Sequence, residues 1–354
     1  MSRQATVRGD YDPLVDVKGL GCWPDRPRYE QLVEGDVLRE RGIDLESSWN
    51  GWEPVERLEL REGRDFDDVI LGIAVAALKK VCAPLIAARP AWRQMVEHVA
   101  TVCTHAFQLW TTPDLAGLGW VKPPGVTEDP VLGAYVEPTD TWADMTHLVP
   151  VEDWPAGQVP GHIAYFCGPM TDPVEYPPLT DTNFPVRERA RAIRQARTFL
   201  DQDARRLWPG AVDAGGRFRD DLLVDVNGRS AEQRFERQLF KGNVEPTDRY
   251  TLSRPGTIRY RLRADGSGFA NLFLAGDWVD NGFNAGCVEA TVISGLQCAR
   301  ALTGADIRVH GENHRLRHVT HRGAGLRDLA DRAPSGSGTK VTAEVAAPRA
   351  AWYS

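Results

Sequence analysis

The chain lacks most of the features that would announce a function directly. None of its six cysteines (Cys22, Cys82, Cys103, Cys167, Cys287 and Cys298) pairs with another at Cys-x-x-Cys spacing. That removes the common zinc and dithiol motifs and leaves free, mostly buried thiols as the expectation. Positive charge is not in excess: 42 Lys and Arg stand against 49 Asp and Glu, a net charge of −7. No nucleic-acid partner is therefore expected. The N-terminus has no apolar core behind its basic residues, so it does not read as a secretory signal. The longest nearly continuous apolar run, Val69 to Leu78, is about half of what a membrane-spanning helix needs. Asp67, Asp68, Lys79 and Lys80 bracket it, so it reads as a buried strand running into a helix. The expectation is a cytoplasmic protein with no transmembrane segment, which leaves peripheral membrane contact open. A glycine-rich GxGxxG loop is also missing. Gly19-Leu20-Gly21 runs into Cys22-Trp23-Pro24 with no apolar strand before it, a poor match to a pyrophosphate cradle.

What is present reads as an ordinary globular chain. At 354 residues it is long enough for about two domains of ~150 residues each. Its 42% hydrophobic and 26% charged content is typical of a folded protein. Residues 29–41 have the makings of a short helix, and residues 55–73 read as a hairpin followed by a buried strand from Val69 to Ile73. Trp92, Met95, Val96 and Val99 share one helical face. Residues 106–111 alternate like a strand, and IAYFCG is the clearest strand of the Pro- and Gly-rich stretch 113–180. Val186 to Trp208 is the longest helical signal, with Ala190, Ile193, Ala196, Phe199 and Leu200 inward and Pro209-Gly210 as its stop. Leu222–Val226 and Arg259–Arg263 read as further strands. Beyond residue 303 the composition predicts a disordered tail. Within it His310, His314, His318 and His321 form two i,i+4 pairs, yet little apolar material surrounds them to hold a helix. A solvated basic tail is expected there, and no metal site.

The segment NLFLAGDWVDNGFNAGCVEATVISGLQCARALTG carries the most chemistry. Leu272 to Ala275 is an apolar strand, a glycine-rich loop follows, and a helix is predicted over Ala285 to Leu302, ended by Gly304. Gly276 has no Cβ, which lets a ligand approach the backbone closely. Asp277 sits at the C-terminal end of the strand, where α/β proteins place their ligands. Its carboxylate can accept hydrogen bonds from sugar-type hydroxyls. The helix start near Gly286 offers unpaired N–H groups and the positive end of a dipole, typically worth ~0.3–1 kcal/mol to an anion at an exposed site. Small residues at Gly286, Ala290, Ser294 and Gly295 keep one stripe of that helix thin. Read without any relative, Asp277 capping a turn and Gly286 allowing close helix packing remain open.

This segment resembles the C-terminal FAD motif of the flavin amine oxidase and phytoene-desaturase-like superfamily, and most closely its hydroxysqualene-dehydroxylase-like members. FDDVILGIAVAALKKV resembles the strand through which that family leaves its dinucleotide domain. RYTLSRPGTIRYRLRADGSGFANLFLAGD resembles the segment through which it returns. The resemblance spans roughly residues 9 to 303 and is specific at the C-terminal end. It implies an FAD-dependent oxidoreductase that moves hydride from a lipophilic, isoprenoid-like or amine substrate. It places Ala275, Gly276 and Asp277 at the flavin's ribityl and phosphate portion, and Gly286, Cys287 and Val288 at its pyrimidine edge. No catalytic residue is assigned by it. Trp110, Trp120, Trp142 and Trp154 read equally as cavity lining or as core, and Arg259 and Tyr260 as substrate neighbours.

The fold it implies is α/β. An incomplete FAD-binding Rossmann-like domain (1–82 and 265–303) flanks an inserted mixed α+β substrate domain (83–264), and 304–354 form the tail. Because the GxGxxG element is absent, the FAD site of this chain is expected to be incomplete, as in a C-terminal fragment or one half of a split enzyme. The expected partners are an apolar small molecule and a separate N-terminal FAD-binding half. The rival expectation is a non-catalytic remnant that serves as a binding or partner module without flavin.

Overall fold

The computed structural model describes residues 2–3, 6–7, 9–53, 56–225 and 230–312, and the fold is mixed α/β. The strands used below are β1 (Val15–Val17), β2 (Leu20–Cys22), β3 (Val69–Leu71), β4 (Thr101–Thr111) and β5 (Val131–Leu132). They continue with β6 (Thr141–Asp144), β7 (His162–Met170), β8 (Leu239–Asn243) and β9 (Leu272–Leu274). The helices are α1 (Pro90–His98), α2 (Phe184–Gln202) and α3 (Val288–Thr303). Two compact units divide the chain. The first contains Pro54–Thr101 and residues from 249 onward, the second Gln4–Glu53 and Val102–Asp248.

The first unit is organised by a parallel pair. Leu272, Phe273 and Leu274 of β9 stand opposite Val69, Ile70 and Leu71 of β3. Both strands are apolar in sequence, but β3 ends at Leu71 with only that residue buried and Ile70 exposed, so it is not the strand buried on both faces expected over Val69–Ile73. Leu71, Leu274, Leu78, Trp92, Met95, Trp278 and Val279 make up much of its core. In α1, Pro90 stands at the start, where its missing N–H costs nothing, and the 3.6-residue period turns Trp92, Met95 and Val96 inward. The buried Trp92 indole still finds an acceptor, the Ser267 carbonyl at 2.8 Å. Helix α3 ends where the sequence says it should, at Gly304 in the left-handed region with φ 67°.

The second unit is an antiparallel sheet in the order β8–β4–β7–β6–β5. Strand β4 alternates strictly, burying Cys103, His105, Phe107, Leu109 and Thr111 on one face. Phe107 faces Phe166 across the β4–β7 register, their ring centroids 4.7 Å apart. Helix α2 covers this face with Ala192, Ala196, Phe199 and Leu200. Each large side chain buried there contributes roughly 1.5–3 kcal/mol relative to exposure. Trp142 and Trp208 complete the cluster with ring centroids 5.6 Å apart. Trp120 packs on Trp142, and Trp110 on Trp154, so these four tryptophans meet in two separate pairs.

Several expected elements differ. The long helix stops at Gln202, and a separate turn, Ala204–Leu207, precedes Pro209. Asp203, with φ −118°, breaks the run. Residues 29–41 split into a 3-10 turn at Tyr29–Gln31 and a helix at Gly35–Glu40, with Leu38 buried and Val33 and Val37 exposed. Arg259–Arg263 is not a strand. Gly256 at φ +76° turns the chain, and Ile258–Tyr260 coil into a 3-10 turn. Leu222 ends another 3-10 turn instead of opening a strand; among the described residues only Leu223 of this stretch forms a bridge, to Thr111, and Val226 lies outside them. Gly19 closes the β1–β2 hairpin with Lys18, both at positive φ. Residues 9–53 lie in the second unit, and 83–101 and 249–264 in the first, so the contact boundaries differ from 1–82, 83–264 and 265–303.

The composition-based tail also begins too early. Val309 is buried, and Glu312 forms a two-pronged pair with Arg300 of α3 at 2.9 and 2.6 Å. Gly282 at φ +91° lets the Glu312 backbone lie against the loop before α3. An apolar anchor and an ion pair thus hold residues 305–312, which composition alone does not register. Residues 313–354, with His314, His318 and His321, lie outside the described residues. Among those described, no helix is long and apolar enough to cross a membrane. No group of three or more potential metal-ligating side chains occurs among them either.

Candidate functional site

The loop between β9 and α3 lies wholly within the first unit, and the sequence explains its path. Gly276 adopts φ +141°, which disfavours any residue with a Cβ. A Cβ there would lie 2.5 Å from the Trp278 indole nitrogen. The side of Gly276 expected to admit a ligand is therefore occupied by the protein's own buried tryptophan. The Gly276 amide donates to Ser294 Oγ at 2.8 Å, and Ser294 donates in turn to the Thr291 carbonyl. Strand end and helix are tied by this one fully buried serine.

Asp277 is half-buried. Its Oδ1 accepts the Thr251 hydroxyl at 3.0 Å, and its backbone carbonyl accepts from the Arg261 guanidinium. Arg261 is almost fully buried and also donates to Ser253 Oγ at 3.0 Å. Burial raises the Asp277 carboxyl above its ordinary range, opposed by the Thr251 hydrogen bond and by Arg261. A carboxyl placed so can accept hydrogen bonds as an anion.

A reciprocal asparagine pair shapes the middle of the loop. Asn281 Oδ1 accepts the Asn284 amide at 2.7 Å, Asn284 Oδ1 accepts the Asn281 amide at 3.1 Å, and Asn281 Nδ2 donates to the Ala290 carbonyl. Asn284 takes φ +57°, tolerable because its short side chain bonds locally. The DNGFN run carries the turn chemistry in the sequence, but its pairing with α3 is not readable there.

Gly286 is as crowded as Gly276. A Cβ would lie 2.6 Å from both the Thr251 carbonyl and the Tyr250 ring, and the Tyr250 hydroxyl donates to the Gly286 carbonyl. Tyr250–Thr251 thus touches both halves of the candidate site, Asp277 on one side and Gly286 on the other. Cys287, extended at φ −159°, precedes α3 without a side-chain cap. Val288 is exposed and opens the helix. Glu289 follows, its carboxyl held below the usual range by its own backbone N–H and by the Cys287 side chain. The carboxylate sits where helix-start N–H groups stabilise negative charge.

No protein-family model and no curated protein matches this chain. Among solved structures, a similar chain is an oxidoreductase from Methanosarcina mazei, 15% identical, with a TM-score of 0.39. The match covers 67% of this chain and 46% of that one, so this chain aligns with less than half of its neighbour. At that distance the chemistry has to be argued from the residues.

Ala275, Gly276 and Asp277 stand at one end of the loop and Gly286, Cys287 and Val288 at the other, joined through Ser294 and Thr251. Arg259 and Tyr260 belong to a different contact. Tyr260 stacks on His98 at 4.0 Å and Arg259 donates to its hydroxyl. The neighbouring Arg261, not singled out by the sequence, is the arginine that reaches the loop. A dinucleotide fits this arrangement in part. Asp277 and the uncapped start of α3 suit ribityl hydroxyls and an anionic edge, whereas the Cβ sides of Gly276 and Gly286 are taken.

Proposed function

We propose that this chain supplies the C-terminal half of an FAD site in an FAD-dependent oxidoreductase of the flavin amine oxidase and phytoene-desaturase-like type. The observation that carries this reading is the β9–loop–α3 unit. A parallel strand delivers a half-buried acid, Asp277, to the same loop that opens onto an uncapped helix start. Ligands of open parallel sheets lie at such strand ends. In this reading the first unit is an incomplete Rossmann-like domain and the second a substrate domain inserted into it. The substrate is apolar, isoprenoid-like or an amine. FAD, when bound, supplies the hydride acceptor. The chain's own residues hold and orient: Asp277 accepts hydroxyl hydrogen bonds, Thr251 and Arg261 fix its carboxyl and backbone, and the Val288–Ala290 amides face negative charge. Glu289 already occupies that helix start and must turn aside for an anionic ligand. The missing pyrophosphate cradle comes from a separate GxGxxG-bearing segment.

That segment has a natural docking place. Strand β3 pairs only with β9 among the described strands. Ile70 on β3 is exposed, as are Val288, Val292 and Leu296 at four-residue spacing along α3. A strand–helix segment added parallel to β3 would cover Ile70.

The test is the visible spectrum of the purified chain, alone and co-expressed with a GxGxxG-bearing strand–helix polypeptide. Flavin absorption on co-expression, weakened by Asp277→Asn, is the expected result. A folded chain that stays colourless in both preparations overturns the flavin reading. The filled glycine faces favour a second reading, a non-catalytic partner module, which predicts that colourless outcome.

A further inference from the structure

We propose that residues 305–312 form a strap that regulates the candidate site by holding its loop in shape. Seated on α3, the strap fixes the Asn281–Asn284 turn between Asp277 and Gly286. Released, it lets that turn relax and weakens the grip on a ligand. Its effect on a flavin rests on the FAD reading, whereas its hold on the loop does not. Every contact involved lies within the first unit.

Gly304, at φ 67°, ends α3 and turns the chain back along it. The Ile307 carbonyl accepts from Arg300 Nη1 at 3.2 Å. Gly311 lies two turns nearer the helix start, where a Cβ would stand 3.2 Å from Ile293 Cδ1. Between them Val309 is buried, and Glu312 closes on the Arg300 guanidinium with both carboxylate oxygens. Ile293, Gln297 and Arg300 stand at i, i+4 and i+7, so the returning segment follows one face of the helix.

Two separate contacts join the strap to the loop. Gln297 Nε2 carries two hydrogens. It donates to the Asn281 carbonyl at 3.1 Å and to Glu312 Oε2 at 3.3 Å. The other contact is backbone on backbone: Gly282 takes φ +91°, and a Cβ there would lie 2.1 Å from the Glu312 carbonyl oxygen. Asn281 and Gly282 open the turn, and Asn281 Oδ1 accepts the Phe283 and Asn284 amides at 3.0 and 2.7 Å. The Asn284 carbonyl accepts the Ser253 hydroxyl, whose oxygen accepts from Arg261, and Arg261 donates to the Asp277 carbonyl. An unbroken run of contacts therefore leads from Glu312 to the acid of the candidate site.

Residue-by-residue amide hydrogen exchange of the full chain tests the strap. Gln297→Leu cuts the bridge and leaves the Arg300–Glu312 pair, whereas Glu312→Ala removes the pair. Each should speed exchange of the Phe283 and Asn284 amides roughly three- to tenfold, the worth of one hydrogen bond. The Leu274 amide of β9, bonded to the Ala264 carbonyl, should keep its native rate. Gln297→Lys retains a donor for both acceptors and should restore the turn. With a GxGxxG-bearing partner present, Gln297→Leu and Glu312→Ala should weaken FAD binding by a similar factor. The proposal is overturned by unchanged exchange at Phe283 and Asn284, by equal acceleration at Leu274, or by FAD affinity indifferent to a loosened turn. Absence of flavin from the native chain with its partner overturns the FAD reading instead, and the exchange rates still decide the strap.

Discussion

Two glycine-to-alanine changes in the β9–α3 segment should have opposite signs. Gly276→Ala places a methyl where φ is +141° and 2.5 Å from the indole nitrogen of Trp278, itself 1% exposed. The backbone cost of such a conformation is about 1–3 kcal/mol. Overpacking against a rigid core ring adds about 1–3 kcal/mol. The sum, about 2–6 kcal/mol, is a large part of an ordinary domain's stability. Gly295→Ala differs in every respect: helical backbone, exposed, and no atom within 4 Å of the new methyl. It should stabilise α3 by about 1 kcal/mol, the usual helix-interior difference between the two residues. Hydrogen exchange on peptides covering residues 272–303, followed in urea, reads the first unit alone. If Gly276→Ala falls within about 0.5 kcal/mol of the native chain, the Trp278 contact does not govern the loop. The argument that the glycine serves the protein's own packing then fails. Gly295→Ala carries a second readout. Although it stabilises the isolated chain, it should impair pairing with a GxGxxG-bearing partner, because it thickens the thin stripe of α3.

Burial lowers the His105 pKa. The unfolded chain therefore takes up a proton near its ordinary value of ~6.5 that the folded chain refuses, and stability falls as pH drops through that range. The slope attributable to this group is at most about 1.4 kcal/mol per pH unit. His105→Gln should flatten the pH dependence of the urea midpoint relative to the native chain, and an unchanged slope would refute the assignment. Arg300 holds the Glu312 carboxyl below its usual range. That contribution is present above the unfolded carboxylate pKa and is lost as pH falls through the depressed folded value. Because Arg300 is about a third exposed, the pair is worth about 1 kcal/mol or less. Arg300→Met should speed proteolysis within residues 305–312 at neutral pH while the native chain gains that sensitivity only in acid; equal rates would count against the strap. Burial pushes the Cys82 thiol up to about 11. Alkylation of the native chain at mild alkaline pH should therefore mark Cys22 and Cys287 and leave Cys82, Cys103 and Cys298 unmarked, and early modification of Cys82 would contradict its burial.

Local periodicity was enough to read the elements that stand on a regular apolar repeat. Trp92, Met95 and Val96 in α1, the alternation around Phe107 in β4, and α3 with its Gly304 stop all follow from spacing. Where a polar side chain decides the path, spacing misleads. RYRLR alternates like a strand, yet Arg261 turns inward to the Asp277 carbonyl and Ser253, so the segment coils. Of the candidate site, the strand end, Asp277 and the helix start were legible. Thr251 was not, and Ser294 only as a small residue of the stripe, because the contacts that make them matter, to Asp277 and to the Gly276 amide, join residues distant in sequence.

The two glycines show how one residue type supports opposite inferences. Glycine in a strand–loop–helix segment announces a close approach but not its partner. At Gly276 the partner is Trp278 and at Gly286 it is Tyr250–Thr251. Both contacts place the loop instead of opening it, and what they place is Asp277 at one end and the first turn of α3, held by the Glu289 carboxylate, at the other. A ligand would then be gripped by the acid and the helix amides while the glycines set their positions. Any contact to a pyrophosphate falls to backbone outside this loop. If the flavin proposal holds, such a half-site should bind weakly alone, since the terms it offers, one half-buried carboxyl and one helix end worth at most about 2 kcal/mol, do not offset the cost of fixing a dinucleotide. Affinity that appears only with a partner strand beside β3 is therefore the signature that separates a divided flavin site from a loop that merely packs well.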